Sequence, residues 1–144
     1  MISVLSGNYS ATLDEKGRVH IPSDMKAMLG NMKMLRLSDW GMCLVAYPEE
    51  AFRKMSESLL ESRKDKAKRK SAAKIISGFF PCEIKNGKIL IPQHMRAGLS
   101  LDRKIQVVGN LDHIQIWNQS DWQRQEAGFG ESTMQDDLDG LGLM

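Results

Sequence analysis

The chain has 144 residues, and 20 Lys and Arg against 18 Asp and Glu leave a formal net charge of only +2 at pH 7. That length holds one compact domain or two very small units, enough to bury about 68–70% of the unfolded surface. With 42% hydrophobic and 26% charged residues the composition excludes wholesale disorder, and no apolar run reaches the ~18–20 residues of a membrane-spanning helix. Residues 1–7 lack a basic n-region and carry only a short apolar patch, so no signal peptide is expected there. Cys43 and Cys82 stand far apart without a CxxC pair. The expectation is a cytoplasmic protein with reduced thiols, no disulfide framework and no structural zinc.

In chain order, residues 12–14 enter a turn at Glu15-Lys16-Gly17, where glycine supplies the positive φ of a tight turn. Residues 18–21 alternate, which predicts a strand with Val19 and Ile21 on one face and Arg18 and His20 on the other. Pro22 ends that strand. A short helix follows, with Ser23 or Asp24 as its cap, Met25, Met28 and Leu29 as its apolar face and Gly30 at its C-terminal end. Two strands are predicted next, over 34–37 and 42–47, around a turn at Ser38-Asp39-Trp40-Gly41. Pro48, Glu49 and Glu50 then suit a helix start, and Phe52, Met55 and Leu59 keep helical spacing. From 61 to 70 the chain is charged all round. Such a run reads as a solvated face, with a nucleic-acid arm as the alternative.

The second half repeats the first. Displacing the chain by about 70 residues lays Gly17-Arg18-Val19-His20-Ile21-Pro22 on Gly87-Lys88-Ile89-Leu90-Ile91-Pro92, and Met25-Lys26-Ala27 on Met95-Arg96-Ala97. Asn86-Gly87 is a hairpin signal. Strands over 105–108 and 113–117, joined at Gly109-Asn110, complete the second unit. The organisation predicted is a first repeat over 7–53, a basic helical connection over 54–74, a second repeat over 75–124 and an acidic, flexible or weakly docked tail over 125–144. The ten Met residues, Phe79-Phe80, Trp117 and Trp122 read as core or interface. His20, His94 and His113 have no metal-ligand spacing with the cysteines, and no nucleophile elbow or phosphate-binding glycine loop is present. Neither an enzyme nor a cofactor or metal is expected.

The stretch from Leu13 to Lys26 (Leu-Asp-Glu-Lys-Gly-Arg-Val-His-Ile-Pro-Ser-Asp-Met-Lys) resembles the SpoVT/AbrB-type DNA-binding motif. Two copies, the second followed by Val107-Val108-Gly109 and by His113 through Trp117, make the chain similar to the MraZ family from about Gly7 to Trp122. The resemblance implies an α+β, mainly β fold, in which the two repeats pair within the chain as a pseudo-symmetric swapped-hairpin β-barrel with peripheral helices. It further implies a nucleoid-associated transcriptional regulator of the division and cell-wall gene cluster, acting on its own operon, with several chains closing into a homo-oligomeric ring. The Asp-x-x-x-Arg signature implied for the DNA face falls on Asp14 and Arg18. In the second copy, aligned without a gap, Ile84 and Lys88 take those places. Lys88 lacks the planar fork that holds guanine O6 and N7 together, so it reads as a phosphate contact.

The physical case for double-stranded DNA as partner is separate. A hairpin after a tight turn presents outward cations on a rigid frame, and β-ribbons read DNA grooves. Arg18 faces away from the buried Val19 and Ile21. Lys16 and Lys26, with Lys85, Lys88 and Arg96 in the second copy, are the candidate phosphate contacts. Asp14 repels phosphate, so it either holds Arg18, accepts from a cytosine amino group or caps the local backbone. Other occupations open to this fold are a toxin's antitoxin, disfavoured by the duplication, and a ring-forming protein scaffold with a basic surface. The small net charge averages two unlike parts. Residues 125–144 hold five acids and no base, and residues 1–124 carry +7 without them. Such a tail is either solvated or competes weakly with DNA for the basic face.

Overall fold

The computed structural model describes residues 4–143; residues 1–3, part of the segment considered above as a signal peptide, and Met144 lie outside it. Its eight strands are β1 (Asn8–Thr12), β2 (Arg18–His20), β3 (Met34–Asp39), β4 (Leu44–Tyr47), β5 (Phe80–Lys85), β6 (Lys88–Leu90), β7 (Lys104–Asn110) and β8 (His113–Asn118). They form one antiparallel sheet in the order β1-β7-β8-β4-β3-β5-β6-β2. A bridge between Leu13 and Val19 brings β1 back to β2, so the sheet is a nearly closed barrel.

The pairing exchanges the two repeats. β1 of the first pairs with β7 of the second, and β5 of the second pairs with β3 of the first. The equivalent strands β2 and β6 pair with each other, as do β4 and β8. This is the swapped, pseudo-symmetric barrel that the resemblance implied. Val19 and Ile89, one from each repeat, face one another across the β2–β6 ladder, and both are almost wholly buried.

The central strands have two buried faces. In β4, Leu44 and Ala46 join the barrel interior with Leu35, Leu37, Ile105 and Ile116, while Val45 and Tyr47 join a second cluster with Phe79, Trp117 and Trp122. Helices cover that second face: α2 (Glu49–Ser62) through Ala51 and α5 (Gln119–Gly128) through Trp122. Phe79, Trp117 and Trp122 are therefore core. Met25 in α1 (Ser23–Leu29) and Met95 in α4 (Gln93–Gly98) plug the barrel, but Met42 and Met134 are exposed, so core filling does not account for every methionine.

Several local expectations change. Neither Ser23 nor Asp24 caps α1; the helix starts at Ser23, with the Pro22 carbonyl accepting from Lys26 N at 2.9 Å, and Asp24 accepts instead from the Tyr9 hydroxyl. β3 runs on through Asp39, so the first turn occupies residues 40–43 and closes by Trp40 N donating to Cys43 O. β7 likewise runs through Gly109 and Asn110, and the chain reverses at Leu111 and Asp112. Gly109 serves close approach rather than a turn: a Cβ there would collide with the backbone of Leu5 and Ser6, and its N–H donates to Gly7 O.

The basic helical connection is a helical hairpin. α2 ends at Ser62, Asp65 caps a single turn at Lys66–Lys68 by accepting from Ala67 N, and α3 (Arg69–Ser77) runs to the second repeat. The described part of the acidic tail is largely helical. α5 extends to Gly128, and Thr133 caps α6 (Met134–Gly140), whose first turn holds Asp136 and Asp137. Those acids suit the positive end of a helix, which offsets the poor helix-forming Asp and Gly content.

Candidate nucleic-acid interface

The site is the β2–β6 ribbon with its two turns. Val19 and Ile89 point into the barrel, so alternation turns Arg18, His20, Lys88 and Leu90 outward. Across the ladder Arg18 lies opposite Leu90 and His20 opposite Lys88. Two of these four, His20 and Leu90, were not among the expected site residues. The alternation that placed Arg18 outside places His20 beside it, which was a usable signal.

The first turn is built around Asp14. Its Oδ1 accepts from Lys16 N at 2.9 Å and Arg18 N at 2.8 Å, and its Oδ2 accepts from Arg18 Nε at 2.9 Å. The Arg18 N–H, ahead of its side chain and the Lys16 N–H, holds the Asp14 carboxyl below the usual carboxylate range. Asp14 thus fixes both the turn and the arginine, and its carboxylate takes the guanidinium through Nε rather than through the Nη groups. Of the three roles open to Asp14, local capping and holding Arg18 are both realised, by one carboxylate.

The second turn is different, and here the gapless alignment needs correction. Leu13 N donates to Arg103 O, and Ile84 N makes the corresponding bond to Lys33 O; Leu13 bridges Val19 as Ile84 pairs with Ile89. Ile84 therefore matches Leu13, packs against the barrel core and is no member of the outer face. The turn Lys85-Asn86-Gly87-Lys88 is one residue shorter than the first, with Asn86 and Gly87 both at positive φ as a two-residue hairpin requires. The residue in the place of Asp14 is Lys85. A base replaces the acid.

Each turn is backed by the other repeat's short helix. Gly17 N–H and its φ of +84° belong to the first turn, and a Cβ there would run into the Arg96 guanidinium, which itself donates through Nε to Ile91 O at 2.9 Å. In the second turn Lys26 Nζ lies 3.3 Å from where a Gly87 Cβ would stand. Gly17 O accepts from Ile91 N and Gly87 O from Ile21 N, so the crossing is pinned on both sides. Arg18, Lys85, Lys88 and Arg96 come together around one open cleft of about 870 Å³, with Glu83 paired to Lys85 at 3.2 Å on its rim. Lys26 stands at the second turn, and Lys16 is exposed at the tip of the first. All seven expected residues therefore lie on or beside the ribbon. Among the described residues no cluster of His, Cys, Asp and Glu has the arrangement of a metal site, and no helix is long and apolar enough to cross a membrane.

The family model "MraZ protein, putative antitoxin-like" matches residues 4–73 and again 78–141, one match for each repeat. The chain belongs to the MraZ family. Relatives in that family include a protein of Lachnoclostridium phytofermentans, 34% identical over 118 residues, which span 81% of this chain and 83% of the relative. One from Caldicellulosiruptor saccharolyticus is 33% identical over 129 residues, 86% of this chain and 87% of its own. A third, from Moorella thermoacetica, is 31% identical and covers 81% and 82% respectively. Each of the three is named transcriptional regulator MraZ.

Proposed function

We propose that this MraZ-family chain is a sequence-specific transcriptional regulator that binds double-stranded promoter DNA through the β2–β6 ribbon. The observation that carries the proposal is the Asp14 clasp: one carboxylate accepts from Lys16 N, Arg18 N and Arg18 Nε, and so holds both the turn and the outward arginine on a two-strand frame. Preorganisation of that kind suits a bidentate contact to a guanine in the major groove, with Arg18 as the base reader. Lys16, Lys26, Lys85, Lys88 and Arg96 serve as phosphate contacts, which position the ribbon without reading sequence. The names of the relatives support regulation, and a regulator needs no catalytic group.

The target we assign is the division and cell-wall gene cluster, through the promoter of the chain's own operon, in the cytoplasm at the nucleoid. One ribbon makes few contacts, so a homo-oligomeric ring of chains would bind repeated sites together and gain affinity through effective concentration. A footprint of the purified protein on the DNA upstream of its own gene tests the whole proposal. Evenly spaced protected repeats support it, and equal binding to a scrambled promoter at physiological salt refutes it in favour of a protein scaffold with a basic surface. The family's antitoxin-like description keeps one second reading in view, binding of a toxin, and a toxin gene beside this one would favour it.

A further inference from the structure

The outward face of the β2–β6 ribbon carries one side chain that neither the Asp14 clasp nor the phosphate contacts employ. Leu90 is 55% exposed, and it lines the cleft that Arg18, Lys85, Lys88 and Arg96 share. A lone exposed leucine on an ordinary surface needs no account. Leu90 is different because of its place: the other three outward residues of the ribbon are Arg18, His20 and Lys88, and all of them are polar.

The strand register puts this leucine beside the clasped arginine. Leu90 and His20 hold equivalent places in the two repeats, but the ladder sets each against a cation of the other repeat, Leu90 opposite Arg18 and His20 opposite Lys88. His20 keeps a polar setting, since its Nε2 lies 3.7 Å and Lys26 Nζ 3.3 Å from where a Gly87 Cβ would stand. Divergence of the repeats therefore puts the clasped arginine and the apolar side chain on one rung. Hydrogen-bond donors and acceptors line a DNA major groove, and the apolar group among them is the C5-methyl of thymine. Directly opposed residues stand about 4.5–5.5 Å apart, against a rise of about 3.4 Å per base step. A side chain at Leu90 thus falls within two base pairs of a base held by Arg18.

We infer that Leu90 is a specificity-determining residue, which packs against the methyl of a thymine within two base pairs of the guanine that Arg18 holds. The inference rests on the DNA reading of the ribbon and deepens it: one rung reads guanine by hydrogen bonds and thymine by apolar contact. Covering a single methyl group favours thymine by about fourfold over the same base without the methyl, for each ribbon engaged.

The test uses the full-length protein and duplexes of the DNA upstream of its own gene, at low salt, where phosphate contacts keep every variant bound. 7-Deazaguanine removes the N7 acceptor. The guanine at which it weakens the wild type but leaves Arg18→Ala unaffected is the one that Arg18 holds. If no guanine behaves so, the DNA reading is refuted and this inference falls with it. Deoxyuridine, which differs from thymine only in lacking the methyl, then replaces each thymine within two base pairs of that guanine. One such duplex should bind the wild type about fourfold more weakly, while Leu90→Ala should bind it and its thymine parent equally. Leu90 is exposed, so Leu90→Ala should keep the wild-type urea midpoint. A wild type indifferent to deoxyuridine, a site with no thymine in that range, or a Leu90→Ala protein that retains the fourfold preference overturns the inference and leaves the role of Arg18 standing. So does a Leu90→Ala protein that binds every duplex like the wild type and loses mass in light scattering, which would assign Leu90 to a contact between chains.

Discussion

Replacing Arg18 by Lys isolates what the planar fork contributes, because it keeps the charge and removes the geometry. In the structure the change deletes the Nε bond to Asp14 Oδ2 and the Nη edge, and leaves the backbone bonds of the turn in place. A bidentate contact to guanine discriminates by ~1–3 kcal/mol, so the preference of promoter over scrambled DNA should fall by about 5- to 150-fold for each ribbon engaged. The salt dependence should stay. With Lys16, Lys26, Lys85, Lys88 and Arg96 as the five proposed phosphate contacts, about 0.9 per phosphate predicts a log–log slope of roughly −4 to −5 per chain. Lys88→Ala is the control: a slope shallower by about 0.9, weaker binding to every sequence and an unchanged preference. The assay is a fluorescence titration of both DNAs between about 50 and 200 mM salt. If Arg18→Lys keeps the promoter preference, or Lys88→Ala abolishes it, the assignment of reader and positioner is wrong.

Gly17→Ala should destabilise the fold by about 1–3 kcal/mol in a urea titration, since it forces a side chain into left-handed backbone and against Arg96. Trp122→Phe should change stability by less than about 1 kcal/mol, because the lost volume is offset by removal of a buried indole N–H that has no partner. Trp117→Phe should cost about 2 kcal/mol in the same urea titration, since it breaks the 3.0 Å bond to Gln115 as well. Burial, with Asp39 adding to it, pushes the Cys43 thiol up to about 12, and burial alone pushes Cys82 up to about 11. Both should resist a thiol reagent at pH 8 until the protein unfolds. The sign of the linkage follows: above the ordinary thiol value of 9.0 the unfolded chain loses protons that the native one keeps, so stability should fall as pH rises past 9. Thermal melts across that range check it.

Some of this was written plainly in the sequence. Residues 18–21 and 88–91 alternate because only one face of the ribbon is buried, and alternation is what local pattern reading detects. β4 is covered on both sides and shows no alternation, so only its length and flanks identified it. The exchange of β1 and β5 between repeats depends on distant pairs, Asn8 with Val108 a hundred residues apart and Met34 with Glu83 forty-nine, and no local pattern carries that. Lys85 was missed as the counterpart of Asp14 for a simpler reason. The repeats align without a gap after Gly17, and carrying the same register backwards hides the residue dropped from the second turn. Likewise Arg96 backs Gly17 from the other repeat, a contact that only the swapped pairing creates.

The dropped residue bears on why the repeat is fused in one chain. In a symmetric dimer of a single repeat, both turns would carry Asp14 and Arg18, and the two outer faces would have to be the same. Covalent duplication releases that constraint. The first turn keeps a carboxylate that fixes its arginine, while the second has Lys85 in that place and pairs it only with an exposed Glu83, an interaction worth little in water. The ribbon thus has one clasped head and one cationic flank without that clasp, on a frame that is otherwise two-fold. A two-fold ribbon fits either direction along a DNA groove equally well. On the proposed DNA reading, one with a fixed arginine at a single end would not, and its orientation would be set by where Asp14 stands.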